Sequence, residues 1–291
     1  MIVHDVPVRG RPRPRLFRAL GPREPPLEIE IAGRPLRRVE ILKHDSWAAT
    51  ALYEGHGGKV VCKFNRQEPI LAIPMQWLGR RLAFREAWIL HRMSGHPGMP
   101  RASGPVQVAG APLAHAVAHD YIEGHPLTHG ERVGDEFFPR LRRLVDALHA
   151  LGVAYVDLAK RANIIVGHDG YPYLIDYQIS ARLPHWWPGN AWPIRRLIRA
   201  LQAGDDYHVL KHWSRHRPDQ LPPDGLRLLA RRPASLRIAV PVGRRLRMVR
   251  RRLLVSVGVR TGRGLASSEA APEEAVRRHI GRLAAHVEQS E

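Results

Sequence analysis

The sequence predicts an α+β chain, and three observations carry that expectation. RRVEIL, ATALY and KVVCKF, between residues 37 and 64, have the β-branched composition and alternation of half-buried strands. Two stretches, 81–94 and 136–151, repeat apolar residues at helical spacing. A third, VAYVDLAKRANIIVGHDGYPYLIDYQIS at 153–180, sets Asp157, Asn163 and Asp176 at the ends of short apolar runs.

The elements follow in order. The first 35 residues are rich in Pro, Gly and Arg and read as an irregular arm. Within the strand region, the glycine turn HGG at 56–58 closes ATALY and KVVCKF into a hairpin. Alternation puts Val61 and Lys63 on one face of that last strand and Val60, Cys62 and Phe64 on the other. The helix at 81–94, stopped by Gly95 and Pro97, turns Leu82, Ile89, Leu90 and Met93 inward together with Glu86. A carboxylate among apolar side chains needs a cation, and Lys63 is the candidate. The plainer alternative is a strand-edge lysine and a solvated glutamate. VQVAG reads as a strand, and HAVAHDYIEGHPL as a strand running into a turn at Glu123-Gly124. The helix at 136–151 carries Phe137, Leu141, Leu144, Val145 and Leu148 on one stripe and stops at Gly152.

Three strand stubs follow, at 153–156, 163–166 and 171–175, and Asp169-Gly170 is a two-residue hairpin signal between the last two. Asn163 and Asp176 would then share the open end of one ribbon. Two carboxylates and an amide converging there would repel without a cation. Oxygen donors of this kind, completed by substrate phosphates, suit magnesium.

Composition bounds the rest. At 291 residues and 44% hydrophobic, the chain is long enough for one large or two modest domains. The opening MIVHDVPVRGRPRPRLFRAL has no apolar core of a leader, and the late apolar run at 253–259 is too short to span a bilayer, so a soluble cytoplasmic protein is expected. The single cysteine, Cys62, makes no internal disulfide, in keeping with a reducing compartment. The net charge is +19, and eleven arginines with no Asp or Glu lie between residues 231 and 263, which points that segment toward an anionic surface. For nucleic acid only the charge speaks: no RNP-type aromatic motif, zinc-knuckle spacing or basic zipper is present.

A strand lysine, a helix glutamate, a helix, then Asp, Asn and Asp is an order that resembles the protein-kinase-like superfamily, over roughly residues 39–183. Small bacterial kinases of lipopolysaccharide core sugars and RIO-type kinases look most similar, because they too have a shortened C-lobe. The resemblance implies a bilobal fold with an antiparallel-sheet N-lobe and a shortened helical C-lobe, divided here as an arm at 1–35, an N-lobe at 36–122, a C-lobe at 123–220 and a basic helical extension at 221–291. Lys63 in VVCK matches the lysine of the V-A-I-K strand and Glu86 its helix partner. Asp157 matches the catalytic-loop aspartate, Asn163 the metal-binding asparagine and Asp176 the aspartate of D-F-G.

On that resemblance ATP and Mg2+ are the cofactors. Lys63, held by Glu86, would steady the α- and β-phosphates, Asn163 and Asp176 would hold the metal, and Asp157 would orient the acceptor hydroxyl. Backbone groups from Asp120 to Ile122 would meet the adenine. The chain departs from the pattern in several places. Tyr155 replaces the histidine of H-R-D, and one extra residue separates Asp157 from Asn163, which brings Lys160 to where Ser/Thr kinases carry a loop lysine. Gln178 replaces the glycine of D-F-G, no G-x-G-x-x-G occurs in KHDSWAATALYEG at 43–55, and no A-P-E follows Asp176.

The peptide-presenting segment is replaced by ARLPHWWPGNAWPIRRLIRALQ, whose Trp186, Trp187 and Trp192 either pack the lobe's rim or form a platform for a sugar or lipid. The stretch 244–257 puts Leu246, Val249, Leu253 and Val257 on one helical stripe, and either lies on an anionic membrane or packs on the C-lobe. His208, His212 and His216 fall four apart and read as a solvated helix face rather than a zinc site. Three functions are carried forward: a kinase of a saccharide or lipid-linked hydroxyl near the inner membrane face, a serine/threonine protein kinase, and a pseudokinase scaffold binding membrane through its basic tail.

Overall fold

A computed structural model describes residues 15–70, 73–184, 186–189 and 191–230, excluding the side chains of residues 223 and 224. The basic segment at 231–263, with its amphipathic stretch 244–257, lies outside the described residues. Strands β1 (Glu28–Ile31), β2 (Arg34–His44), β3 (Ala48–Gly55) and β4 (Gly58–Asn65) precede helix α1 (Gln76–Arg92), and β5 (Val106–Val108), β6 (Ala111–Pro112) and β7 (Ala116–Asp120) complete the first lobe. All seven strands form one antiparallel sheet in the order β6-β5-β1-β2-β3-β4-β7. The outer edge of β7 is not bare. Ala102 bridges to His119, and the chain then runs to β5 at the far side, so the sheet curls on itself.

The second lobe holds β8 (Gly124–Pro126), α2 (Phe137–Ala150), β9 (Val153–Ala154), β10 (Ile164–Gly167), β11 (Pro172–Leu174), β12 (Ala181–Arg182), α3 (Trp192–His216) and α4 (Pro223–Ala230). The expected α+β architecture of two lobes, an antiparallel sheet lobe and a reduced helical lobe, is the one present. Its two cores have different makeup. Ile29, Ile31, Tyr53, Cys62, Phe64 and Ala118 fill the curl of the sheet, whereas Phe138, Leu141, Leu148, Tyr155, Ile164 and Val209 build the helical core. Ile89 and Leu90 of α1, and Met93 at its C-cap, belong to the helical core, so this helix is packed across both lobes. Truncating any one of them to alanine would cost about 2–5 kcal/mol.

The predicted helices and strands recur with shifted ends. α1 starts five residues ahead of the predicted Arg81: in its first turn Trp77 is exposed and Leu78, on the inward stripe, is only half-buried. Gly79, two turns before Glu86, sits where a Cβ would meet the Arg66 carbonyl at 2.2 Å, so only glycine lets the helix approach the end of β4. The lead-in expected to be irregular contains β1 and is docked before it: Phe17, Ala19 and Leu20 are buried. Buried Arg66 ties that segment down by donating to the carbonyls of Leu16 (3.0 Å), Ser46 (2.6 Å) and Pro69 (3.0 Å). Gly124, expected in a turn, opens β8 instead, where it meets Gly167 of β10. The Asp169-Gly170 turn spans more than two residues, since Gly167 and Tyr171 already bond across it at 2.9 Å.

The histidine row on α3 is a correction. His212 and His216 are buried rather than solvated, and each is engaged with a backbone carbonyl: Nε2 of His212 with Leu158 at 2.8 Å, Nδ1 of His216 with Glu131 at 2.9 Å. The helix face that carries them also carries Val209 and Trp213, so it faces the core. Burial lowers the pKa of His212 to about 4, the Leu158 carbonyl offsetting part of that effect. The unfolded chain therefore takes up this proton first as pH falls. The stabilisation is present above pH about 6.5 and is lost on approach to pH about 4. His212→Gln, which can still donate to Leu158, is expected to flatten the dependence of unfolding free energy on pH in that window by roughly 3 kcal/mol, read from urea titrations at a series of pH values.

Candidate active site

The site begins with register. β4 pairs Lys63 with Thr50 of β3 and Val117 of β7, which turns its side chain toward α1. There Nζ meets both oxygens of Glu86, at 2.8 and 3.0 Å, and Oδ1 of Asp176 at 2.8 Å. Glu86 is 1% exposed and also accepts the backbone N–H of Tyr177 at 3.3 Å. Burial alone would strip the charge from Lys63, but the Asp176 and Glu86 carboxylates more than offset it and hold the ammonium firmly protonated. The two acids respond differently to the same cation. Burial dominates at Glu86 and raises its pKa, whereas Asp176, with 29% of its side chain exposed, is desolvated less decisively and the Lys63 charge holds it down at about 2.

Asp157 stands one residue past a strained bond. Val156, a β-branched residue, has φ +72°, a left-handed conformation that costs of order 1–3 kcal/mol. Asp205 of α3 holds that turn: its carboxylate accepts the N–H of Tyr155 at 2.7 Å and of Val156 at 2.8 Å, and the residue is 1% exposed. His212 takes the next carbonyl, at Leu158. The Asp157 carboxylate is met by Lys160 Nζ at 2.5 Å and by Asn163 Nδ2 at 3.1 Å. The extra loop residue is absorbed by a single 3₁₀ turn at Arg161–Asn163, so the longer spacing still brings Asn163 to Asp157.

Asn163 and Asp176 share one end of the β10–β11 hairpin. Ile164 lies opposite Leu174, and the Ile175 N–H donates to the Asn163 carbonyl at 3.1 Å. Asp176 has φ +65°. Asn163 spends its amide nitrogen on Asp157, and its side-chain oxygen is of the hard-donor type. A carboxylate and an amide oxygen are donor types that magnesium takes. The residue after Asp176, Tyr177, packs edge-on against Tyr155 with centroids 5.3 Å apart. Gln178 reaches back to the sheet lobe, Nε2 donating to Oδ1 of buried Asn65 at 2.9 Å. Glycine at that position would make no such link.

Other expected contacts divide. The β2–β3 turn cannot cradle phosphate with its backbone in the way a glycine loop does, because Asp45 Oδ1 already accepts the N–H groups of Trp47 at 2.7 Å and Ala48 at 3.0 Å. Lys43, at the end of β2, is itself paired with Asp45 at 2.7 Å. Its charge and that of Lys160, after that of Lys63, help to depress the Asp176 pKa. Asp120 is occupied: its N–H donates to Arg101 (2.9 Å), its carbonyl meets His119 Nδ1 (2.9 Å) and its carboxylate accepts Ser103 (2.9 Å). Ile122, two residues on and half-buried, forms no hydrogen bond among the described residues and is the freer of the two positions to meet a base. His119 faces the same side as Lys63, and burial keeps it neutral with a pKa of about 4. Asp205 and His119 escape motif reading. A carboxylate on the apolar stripe of Ile198, Val209 and Trp213 was the available signal for Asp205, the same one that marks Glu86.

No protein family matches the chain in sequence, and no curated protein does. Among solved structures, the Rio2 kinase from Chaetomium thermophilum has a TM-score of 0.43 at 14% identity, over 69% of this chain and 58% of that one. A complex of that enzyme described as Rio2 kinase-ADP/Mg2+-phosphoaspartate gives 0.44 at 14% identity, over 72% of this chain and 59% of that one. The chain thus spans less than two thirds of either protein. Matches this shallow say nothing about its reaction, which has to be inferred from the residues just described.

Breaking a buried ion pair at one partner strands the other charge. Lys63→Met is expected to lower the unfolding free energy by about 3–5 kcal/mol, and Glu86→Gln in the Lys63→Met background to recover at least about 1 kcal/mol of it. Urea unfolding of the two single variants and the double variant measures the coupling. Additive losses would mean that the pair does not act as a unit.

Proposed function

We propose that the chain is an ATP- and magnesium-dependent phosphotransferase acting on a hydroxyl acceptor. The observation that carries the reading is the single cluster in which Lys63 joins Glu86 to Asp176 while Asn163 joins the same hairpin end to Asp157. Phosphoryl transfer asks a protein mainly for position and charge, and this cluster supplies both. Lys63, pre-paired with Glu86, offers a fixed ammonium to the phosphate chain. Lys160, beside Asp157, adds positive charge on the acceptor side. Asp176 and Asn163 offer oxygens to the metal, and a bound magnesium ion would neutralise charge on the transferring group. Asp157, held by the Asp205-clamped turn, would orient the acceptor hydroxyl and take its proton.

For the acceptor, the reading favours a saccharide or lipid-linked hydroxyl, as for the lipopolysaccharide-core sugar kinases that the sequence resembles. Its support is the short element β12 followed by a tryptophan-rich stretch where a peptide shelf would otherwise be. A serine/threonine kinase is the second reading, favoured by Lys160 at 2.5 Å from Asp157. A pseudokinase scaffold is the third. The Asp45-capped turn, with no free N–H groups for phosphate at Trp47 and Ala48, favours it. Among the described residues no helix is long and apolar enough to cross a membrane, so any membrane acceptor would be met from the surface. The basic segment at 231–263 is proposed to strengthen contact with an anionic surface.

The test uses the purified full chain with ATP and magnesium. Asp176→Ala is expected to abolish metal-dependent nucleotide binding. Asp157→Ala is expected to keep nucleotide binding but lower transfer roughly 10²- to 10⁴-fold. Equal turnover in wild type and Asp157→Ala would remove Asp157 from its role, and absence of metal-dependent nucleotide binding in wild type would leave the scaffold reading. Radiolabel transfer into a fractionated cell extract separates lipid, glycan and protein acceptors.

A further inference from the structure

A patch unrelated to the ion-pair cluster stands out on the helical lobe. Trp186, Trp187 and Trp192 are 65%, 82% and 69% exposed, and Leu197, on the outer face of α3, is 57% exposed. Single exposed apolar residues are ordinary, but three tryptophans within seven positions are not. A contiguous exposed aromatic patch of this kind marks an interaction site.

The surrounding charge says which partner. From Tyr177 to Gly204 the chain has four arginines, Arg182, Arg195, Arg196 and Arg199, and no Asp or Glu. Arg195, Arg196 and Arg199 are exposed on the first turns of α3 beside Trp192, and the Arg196 guanidinium lies 5.5 Å from the Trp192 ring centroid. A protein partner matched to this patch would need an acidic rim around an aromatic socket. A bilayer needs nothing so particular. Indole rings settle at the boundary between headgroups and acyl chains, having a flat apolar face and a polar edge. Arginine stems lie along apolar surface with the guanidinium in the headgroup layer, where it meets lipid phosphate.

We propose that Trp186, Trp187, Trp192 and Leu197, with Arg195, Arg196 and Arg199, form a docking surface for an anionic phospholipid bilayer, into whose interface the three indoles insert. The surface is tied to the cluster by one rigid element. Trp192 opens α3 and Asp205, on the same helix, holds the turn before Asp157; thirteen residues of helix separate them by about 20 Å. Docking would therefore set the height of the Asp157 turn above the membrane. This rests on the phosphotransferase reading only for its purpose; the binding itself does not depend on it.

The test mixes the full chain with vesicles of phosphatidylcholine, alone or with phosphatidylglycerol, and measures cosedimentation together with quenching of tryptophan emission by lipids brominated on the acyl chains. Wild type is expected to sediment with the anionic vesicles and to be quenched by the brominated lipids. The variant with Trp186, Trp187 and Trp192 all changed to serine is expected to lose roughly tenfold in affinity and most of the quenching. The variant with Arg195, Arg196 and Arg199 changed to serine is expected to lose roughly a hundredfold on anionic vesicles at low salt. Unchanged thermal unfolding and nucleotide binding in both variants show that the lobe is intact. Equal sedimentation of wild type and the tryptophan variant, or sedimentation without quenching, would overturn the proposal and leave binding to charge elsewhere, the 231–263 segment included. Emission already blue-shifted and unmoved by vesicles would overturn it too, placing the indoles under another part of this chain or a protein. Loss of nucleotide binding in wild type would sink the phosphotransferase reading without touching this one.

Discussion

One buried ammonium organises this molecule. Lys63 comes from a strand of the sheet lobe, Glu86 from the helix that spans both lobes and Asp176 from the end of a hairpin in the helical lobe. Three elements far apart in sequence are thereby held within the reach of one side chain. The cost of burying the charge is met only because two carboxylates share it, which makes the arrangement intolerant of loss at any corner.

A second constraint works beneath the first. The turn at Tyr155 and Val156 is strained, and strain persists only where the surroundings over-determine it. Asp205 supplies two acceptors, His212 engages the carbonyl at Leu158, and the Tyr155 ring lies against Tyr177. Asp157 is thus aimed by α3, while Asp176 is aimed by Lys63 and followed by Gln178, itself tied to Asn65. Both acids are set by residues outside the motif that names them. The sheet lobe and the helical lobe each control one of them.

Much of this was legible in the residues. Lys63 and Glu86 could be paired because each was a charge on an apolar face, and a buried charge advertises its need for a partner. Asn163 and Asp176 could be placed together because a turn dipeptide between two apolar runs sets hairpin register. The same reasoning fell short at the histidine row on α3, where helical spacing identified a face but not whether that face met solvent or core. It also fell short at the lead-in, where Phe17, Ala19 and Leu20 are buried by contacts with segments more than twenty residues away.

By itself the sequence determined the β2–β4 strands, the helices α1 and α2 with the polarity of their faces, and the identity of the charged groups that had to be paired, because these follow from periodicity and from the cost of desolvating charge. Only the tertiary structure decided that the extra loop residue is taken up in a 3₁₀ turn, that Asp45 satisfies the N–H groups of the β2–β3 turn, that Asp205 clamps the strained turn, and that three tryptophans stand outward. Those outcomes depend on which backbone groups meet across long sequence separations. Local pattern carries no information about that meeting, which the packing of α1 and α3 against the two cores brings about.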